Sequence, residues 1–150
     1  MNEEASRHIV CAVRGKPESR QTVHHAIDLA LEQAARLTFL HVIDAEFVQH
    51  ATVGPLSVVY RQLIEMGEFV MLILVDRAKR RGVSQVDYVL REGDLRQQVR
   101  NYLEETRPDV IVVGVPESRQ KGGIFSLKEF QEFITELEGD LNLSVIQVNH

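Results

Sequence analysis

Pro108-Asp109-Val110-Ile111-Val112-Val113-Gly114 combines a turn signal, an unbroken apolar run and a glycine stop. A short run that is β-branched and apolar at every position suits a strand covered on both faces, as in a parallel sheet. Ile9-Val10-Cys11-Ala12-Val13 has the same character. Thr38–Ile43, Val86–Leu90 and Val145–Val148 read as three further strands.

Helical patterns fill the intervals. Val23, Ala26, Ile27, Ala30, Leu31 and Ala34 recur at helical spacing, with Ser19 as N-cap. Ser57–Arg81 reads as one long helix stopped by Gly82. Its apolar run Phe69–Val75 taken alone resembles a strand, but charged flanks on both sides decide for helix. Asp94 with Gln97 opens a helix over Leu95–Glu105, and Ser126 with Glu129 opens another to about Glu138. Strict alternation of apolar strands with helices predicts an α/β domain, Rossmann-like, with an open five-stranded parallel sheet and helices on both faces. No linker, repeat or low-complexity tract divides the chain, so residues 1–150 read as a single domain.

Composition excludes several function classes. The net charge of −5 argues against broad nucleic-acid binding, which needs a basic footprint. The single cysteine, Cys11, cannot form an internal disulfide, and its apolar neighbours make it a small core residue. The six histidines show no metal-ligand spacing, and adjacent His24 and His25 point to different sides of a helix. Met1–Ser6 is polar and acidic, unlike a secretory signal. The longest apolar run has seven residues, against about 20 for a membrane span. The expected location is the cytoplasm.

Open parallel sheets bind ligands outside the carboxyl ends of the strands, where the strand order reverses. Two loops stand at such ends. One is Arg14-Gly15-Lys16-Pro17-Glu18-Ser19-Arg20. The other runs from Gly114 to Ser126 and holds Gly122-Gly123. Glycines there permit close backbone approach to an anion, although they also simply make turns.

At these residues the chain resembles the universal stress protein family. Ile9–Val13, Leu40-His41-Val42-Ile43-Asp44, Arg91-Glu92-Gly93-Asp94 and Pro108–Gly114 carry the resemblance in order and spacing. The resemblance implies strand order 3-2-1-4-5, with the two loops meeting between strands 1 and 4. It also implies ATP binding there in many members, and dimers through the last strand, here Val145–Val148.

Two positions depart from the family pattern. Arg14 stands where binding members carry an Asp that contacts the nucleoside. Glu117 stands where the second glycine of Gly-x-x-Gly is expected, and only the hydroxyl of Ser126 survives from the later Gly-Ser pair. A carboxylate about 4 Å from a phosphate costs roughly 1–4 kcal/mol. The two changes together predict ATP binding weakened by a factor of about 100 or more. Against this, Arg14, Lys16, Arg20, Arg119, Lys121 and Lys128 cluster positive charge around the crevice.

The expected function is therefore a non-catalytic stress-response or signalling module with a degenerate nucleotide site and no obligatory cofactor. The alternative is a divergent ATP or AMP sensor. Its site residues would be Val13, Arg14, Val42, Gly114, Gly122, Gly123 and Ser126. A hydrolytic or nucleotidyl-transfer enzyme would want a His-x-x-His or a Ser/Asp set at the strand ends, which is not found. Asp44 and Glu117 have no evident catalytic partner, and His41 reads as a satisfied core histidine. One further surface stands out. If Gly67, Val70, Met71, Leu74, Val75 and Ala78 face the sheet, then Phe69, Leu72 and Ile73 form an apolar stripe on the far side, suited to a protein contact.

Overall fold

The computed structural model describes residues 7–14, 19–43, 56–116 and 127–149. Five strands are present: β1 His8–Ala12, β2 Arg36–Ile43, β3 Val86–Glu92, β4 Val110–Gly114 and β5 Ser144–Val148. Four helices alternate with them: α1 Ser19–Gln33, α2 Leu56–Arg81, α3 Leu95–Thr106 and α4 Leu127–Leu141. The strands pair in parallel in the order β3-β2-β1-β4-β5.

β1 lies in the middle because it can be covered on every side. Ile9, Val10 and Cys11 are all fully buried. Alternation then divides them between two cores. Ile9, Cys11 and Val13 join Val110 and Val112 of β4 in a core with α1 and α2. Val10 joins Ile111 and Val113 in a second core with α3 and α4. The Cys11 thiol is buried, and that burial pushes its pKa up.

The structure adjusts several sequence expectations. β1 starts at His8 and ends at Ala12, one residue earlier than the apolar run suggests, because His8 pairs in register with Arg36. β2 starts earlier too, at Arg36, and β3 runs on to Glu92. The polar ends of these strands are held by specific bonds rather than by burial. α1 begins at Ser19 itself, so Ser19 is within the helix rather than before it. Only Val23, Ala26, Ile27 and Ala30 of its expected face are buried. Leu31 sits at the edge of that stripe, 37% exposed, and Ala34 lies past the helix end at φ 51°. The Asp94 cap is as expected, its carboxylate accepting from the Gln97 N–H at 3.0 Å.

α2 lies close on the sheet at Gly67. A Cβ there would come within 3.3 Å of Leu90 Cδ1 and 3.4 Å of His41 Cδ2. Gly67, Met71, Leu74 and Ala78 form its buried face, as the sequence predicts. Gly82, at φ 112°, ends the helix by donating to the Lys79 carbonyl at 3.0 Å. On the opposite face, Arg100 of α3 bonds Glu136 and Asp140 of α4, tying those two helices together at the surface.

The amino-terminal end of the sheet carries a polar cluster. The Thr38 hydroxyl, fully buried, donates to Asp87 Oδ1 at 2.6 Å. Its one proton is thereby used, so the 2.8 Å contact with His8 Nε2 makes that ring nitrogen the donor. The His8 N–H also donates to Asp109 Oδ2 at 2.8 Å, and Arg36 is ion-paired to Asp87 at 3.0 Å. Burial first, and then the Arg36 charge, hold His8 below its ordinary pKa of 6.5, while Asp87 and Asp109 pull the other way.

Two outcomes are expected. Gly67→Val should cost about 1–3 kcal/mol in urea unfolding, because the added methyls have no space over Leu90 and His41. The lowered pKa of His8 means that the unfolded chain takes up its proton first as pH falls. Stability should decline as pH drops below 6.5, and His8→Asn should flatten that slope between about pH 7.5 and 5.5 in urea titrations.

Candidate functional site

The reversal of strand order falls between β1 and β4. From β1 the chain continues into α1 on one face of the sheet, and from β4 into α4 on the other. α1 and α4 thus lie on opposite faces of the sheet, and the ends of β1 and β4 stand at a mouth on the carboxyl edge. Val13 and Arg14 follow β1, Gly114 ends β4, and Val42 is the penultimate residue of β2. All four line one cavity of about 60 Å³. The structure thus brings together four of the seven site residues named from the sequence. Gly122, Gly123 and Ser126 lie outside the described residues, as do Asp44, Lys16, Glu117, Arg119 and Lys121. Arg20 and Lys128 are exposed and do not line the cavity.

The floor of the cavity was not foreseen. Leu95 and Val99 of α3 and Phe130, Phe133, Ile134 and Leu137 of α4 form it, with Ala12, Leu40, Ile111 and Val113 from the sheet. Phe130, Ile134 and Leu137 recur at helical spacing, which in a sequence signals core and nothing more. The Arg96 guanidinium lies 5.9 Å from the Phe133 ring centre, over the outer side of this wall.

The backbone at the mouth is tightly held. The Val13 N–H donates to the Leu40 carbonyl at 2.8 Å. The Val13 carbonyl accepts from His41 Nδ1 at 2.7 Å, which fixes the ring tautomer because a carbonyl can only accept. His41 is half-buried and satisfied, as the sequence suggests, and its work is to pin the residue before Arg14. The Val115 N–H donates to the Val148 carbonyl at 2.9 Å, anchoring the chain beyond Gly114.

These residues suit binding better than bond-making. Among the described residues, Arg14 is the one ionisable side chain lining the cavity. The guanidinium is a permanent cation with donors only, so it can hold a phosphate or carboxylate but cannot serve as a general base. The cavity of about 60 Å³ has room for a few waters. Among the described residues no cluster of three or more His, Cys, Asp or Glu side chains is placed to hold a metal ion.

The family model of the universal stress proteins matches residues 5–126, which includes β1 through β4 and both edges of the mouth. The chain belongs to the universal stress protein family. Solved structures agree on the fold. Universal stress protein UspA from Lactobacillus plantarum superposes with a TM-score of 0.74 at 16% identity, covering 95% of this chain and 97% of its own. A universal stress protein in complex with cAMP gives 0.65 at 16% identity, covering 96% and 97%. A family protein from Arabidopsis thaliana with AMP bound gives 0.57 at 15% identity, covering 96% and 92%. Among curated proteins, none matches the chain by sequence.

His41→Ala should leave the Val13 carbonyl without its partner and cost about 1–3 kcal/mol in urea unfolding. Retention of full stability would mean that the histidine does not hold the mouth.

Proposed function

We propose that this chain is a non-catalytic regulatory module of the universal stress protein family, with a weakened nucleotide site at the mouth between β1 and β4. The observation that carries this reading is the chemistry of the mouth: apolar walls with a guanidinium at the rim. An Asp at position 14 would accept hydrogen bonds from a nucleoside, whereas Arg14 offers none. With no acid or base lining the cavity among the described residues, nothing there activates a water.

The module would act in the cytoplasm, and no described helix is long and apolar enough to cross a membrane. It would pair with itself through β5. Within the sheet β5 bonds only to β4, which leaves its other edge open among the described residues. Val145, Ile146 and Val148 are half-buried beside that edge, while Ser144 and Gln147 are exposed. Edges of this kind are templates for strand pairing with a second chain.

A second reading, a sensor of AMP, cAMP or ATP, is favoured by the relatives solved with cAMP and AMP and by Gly114 standing at the mouth. Isothermal titration with AMP, ATP and cAMP separates the two. A weakened site gives no saturable heat up to about 1 mM, and a dissociation constant below about 10 μM establishes the sensor. Arg14→Asp should tighten AMP by about tenfold, or roughly 1.4 kcal/mol, if position 14 is what weakens the site.

A further inference from the structure

The helix α2 carries an apolar stripe that the fold does not use. Phe69 is 66% exposed, Met66 63%, Leu72 54% and Ile73 42%. The sheet-facing side of the same helix is already occupied by Gly67, Met71, Leu74 and Ala78. Met66, Phe69 and Ile73 follow the three-four spacing of a helix–helix seam. Leu72 lies beside that seam. Singly exposed apolar residues need no explanation, but four within two turns of one helix face mark a contact surface.

The charges beside the stripe indicate what covers it. Glu65, Leu72 and Lys79 are spaced by seven residues, so all three stand along the same side of the seam. Leu72 is the midpoint of that row. When two copies of α2 lie antiparallel across a two-fold axis at Leu72, Glu65 of each copy faces Lys79 of the other, two turns from the axis on either side. The distance between Glu65 and Lys79 along one helix is about 21 Å. Both side chains are exposed, and among the described residues neither has an ion-pair partner within the chain. Asp76 and Arg80, paired to each other at 2.9 Å, close the carboxyl end of the stripe without leaving a net charge there.

We infer that the outer face of α2, from Glu65 to Lys79, is a two-fold docking site for a second copy of this chain, with Met66, Phe69, Leu72 and Ile73 packed antiparallel and Glu65–Lys79 pairs at both ends. The stripe is short beside the roughly 800 Å² that a stable interface buries on each partner. It therefore makes a weak, concentration-dependent contact. α2 packs on β2 and β3, at the far end of the sheet from β5. Two different two-fold contacts at opposite ends of one protomer produce a closed tetramer or an open chain, depending on the angle between their axes.

Sedimentation equilibrium of the full chain over a range of concentrations up to about 1 mM tests this. The 17.1 kDa chain should show a mass that doubles with concentration above its low-concentration value. Leu72→Glu should weaken that step at least about tenfold, because it places two carboxylates at the axis of an apolar contact. Its circular dichroism should be unchanged, since Leu72 belongs to neither hydrophobic core. Glu65→Lys and Lys79→Glu should each weaken the step, and the double variant should return to within about threefold of the wild type, because the pairs are restored with reversed sign. A double variant no better than the singles would rule out the antiparallel pairing. A wild-type mass that stays at its lowest value throughout would assign the stripe to a different protein and overturn the proposal.

Discussion

β1 has no face and no edge of its own. β2 and β4 take its hydrogen bonds on either side, and its alternate side chains serve two separate cores. A strand in that position must be apolar throughout, which is why Ile9-Val10-Cys11 tolerates no polar interruption. Its placement also decides where the chain can bind anything. Because α1 lies on one face beyond β1 and α4 on the other beyond β4, an opening lies between the ends of these strands. Arg14 stands at that opening because it follows the central strand, and Val13 is held there from two directions by Leu40 and His41.

The parts of the fold that depend on burial could be read from the sequence, and the parts that depend on particular polar bonds could not. Every strand core and every helix was expected, because apolar runs and helical spacing directly record which residues are covered. The strand ends were misplaced where His8, Arg36, Arg91 and Glu92 extend the ladder, since hydrogen bonds between charged or polar side chains leave no periodic trace. Leu31 was assigned to the core because it neighbours the buried stripe of α1 in sequence, although a rotation of one residue turns it to the edge. The site followed the same division. The rim residues Val13, Arg14, Val42 and Gly114 were identified from strand ends and family resemblance. The aromatic floor from α4 was not, because Phe130 and Phe133 look like any core-facing pair until the cavity above them is seen.

The family relationship and the local chemistry make separate statements. The fold of this chain matches universal stress proteins with barely one residue in six conserved by identity. A parallel sheet of this order asks only for apolar strands and right-handed crossovers, which many sequences supply. A nucleoside site asks for specific acceptors at specific backbone positions, and one substitution there changes what can bind. Arg14 is exposed at the end of the central strand and lines the mouth, so its identity bears on what the mouth can hold and not on the architecture.

The lone cysteine lies at the centre of this arrangement. Cys11 is completely enclosed in β1, and its thiol is held in the protonated, unreactive form. No alkylating reagent can reach it while α1 stays packed on the sheet. Its sulfur lies 4.0 Å from the Thr22 carbonyl oxygen of α1, in the core between that helix and the sheet, so the rate at which it becomes modifiable measures how often this core opens, and the protein carries a chemical clock for its own integrity.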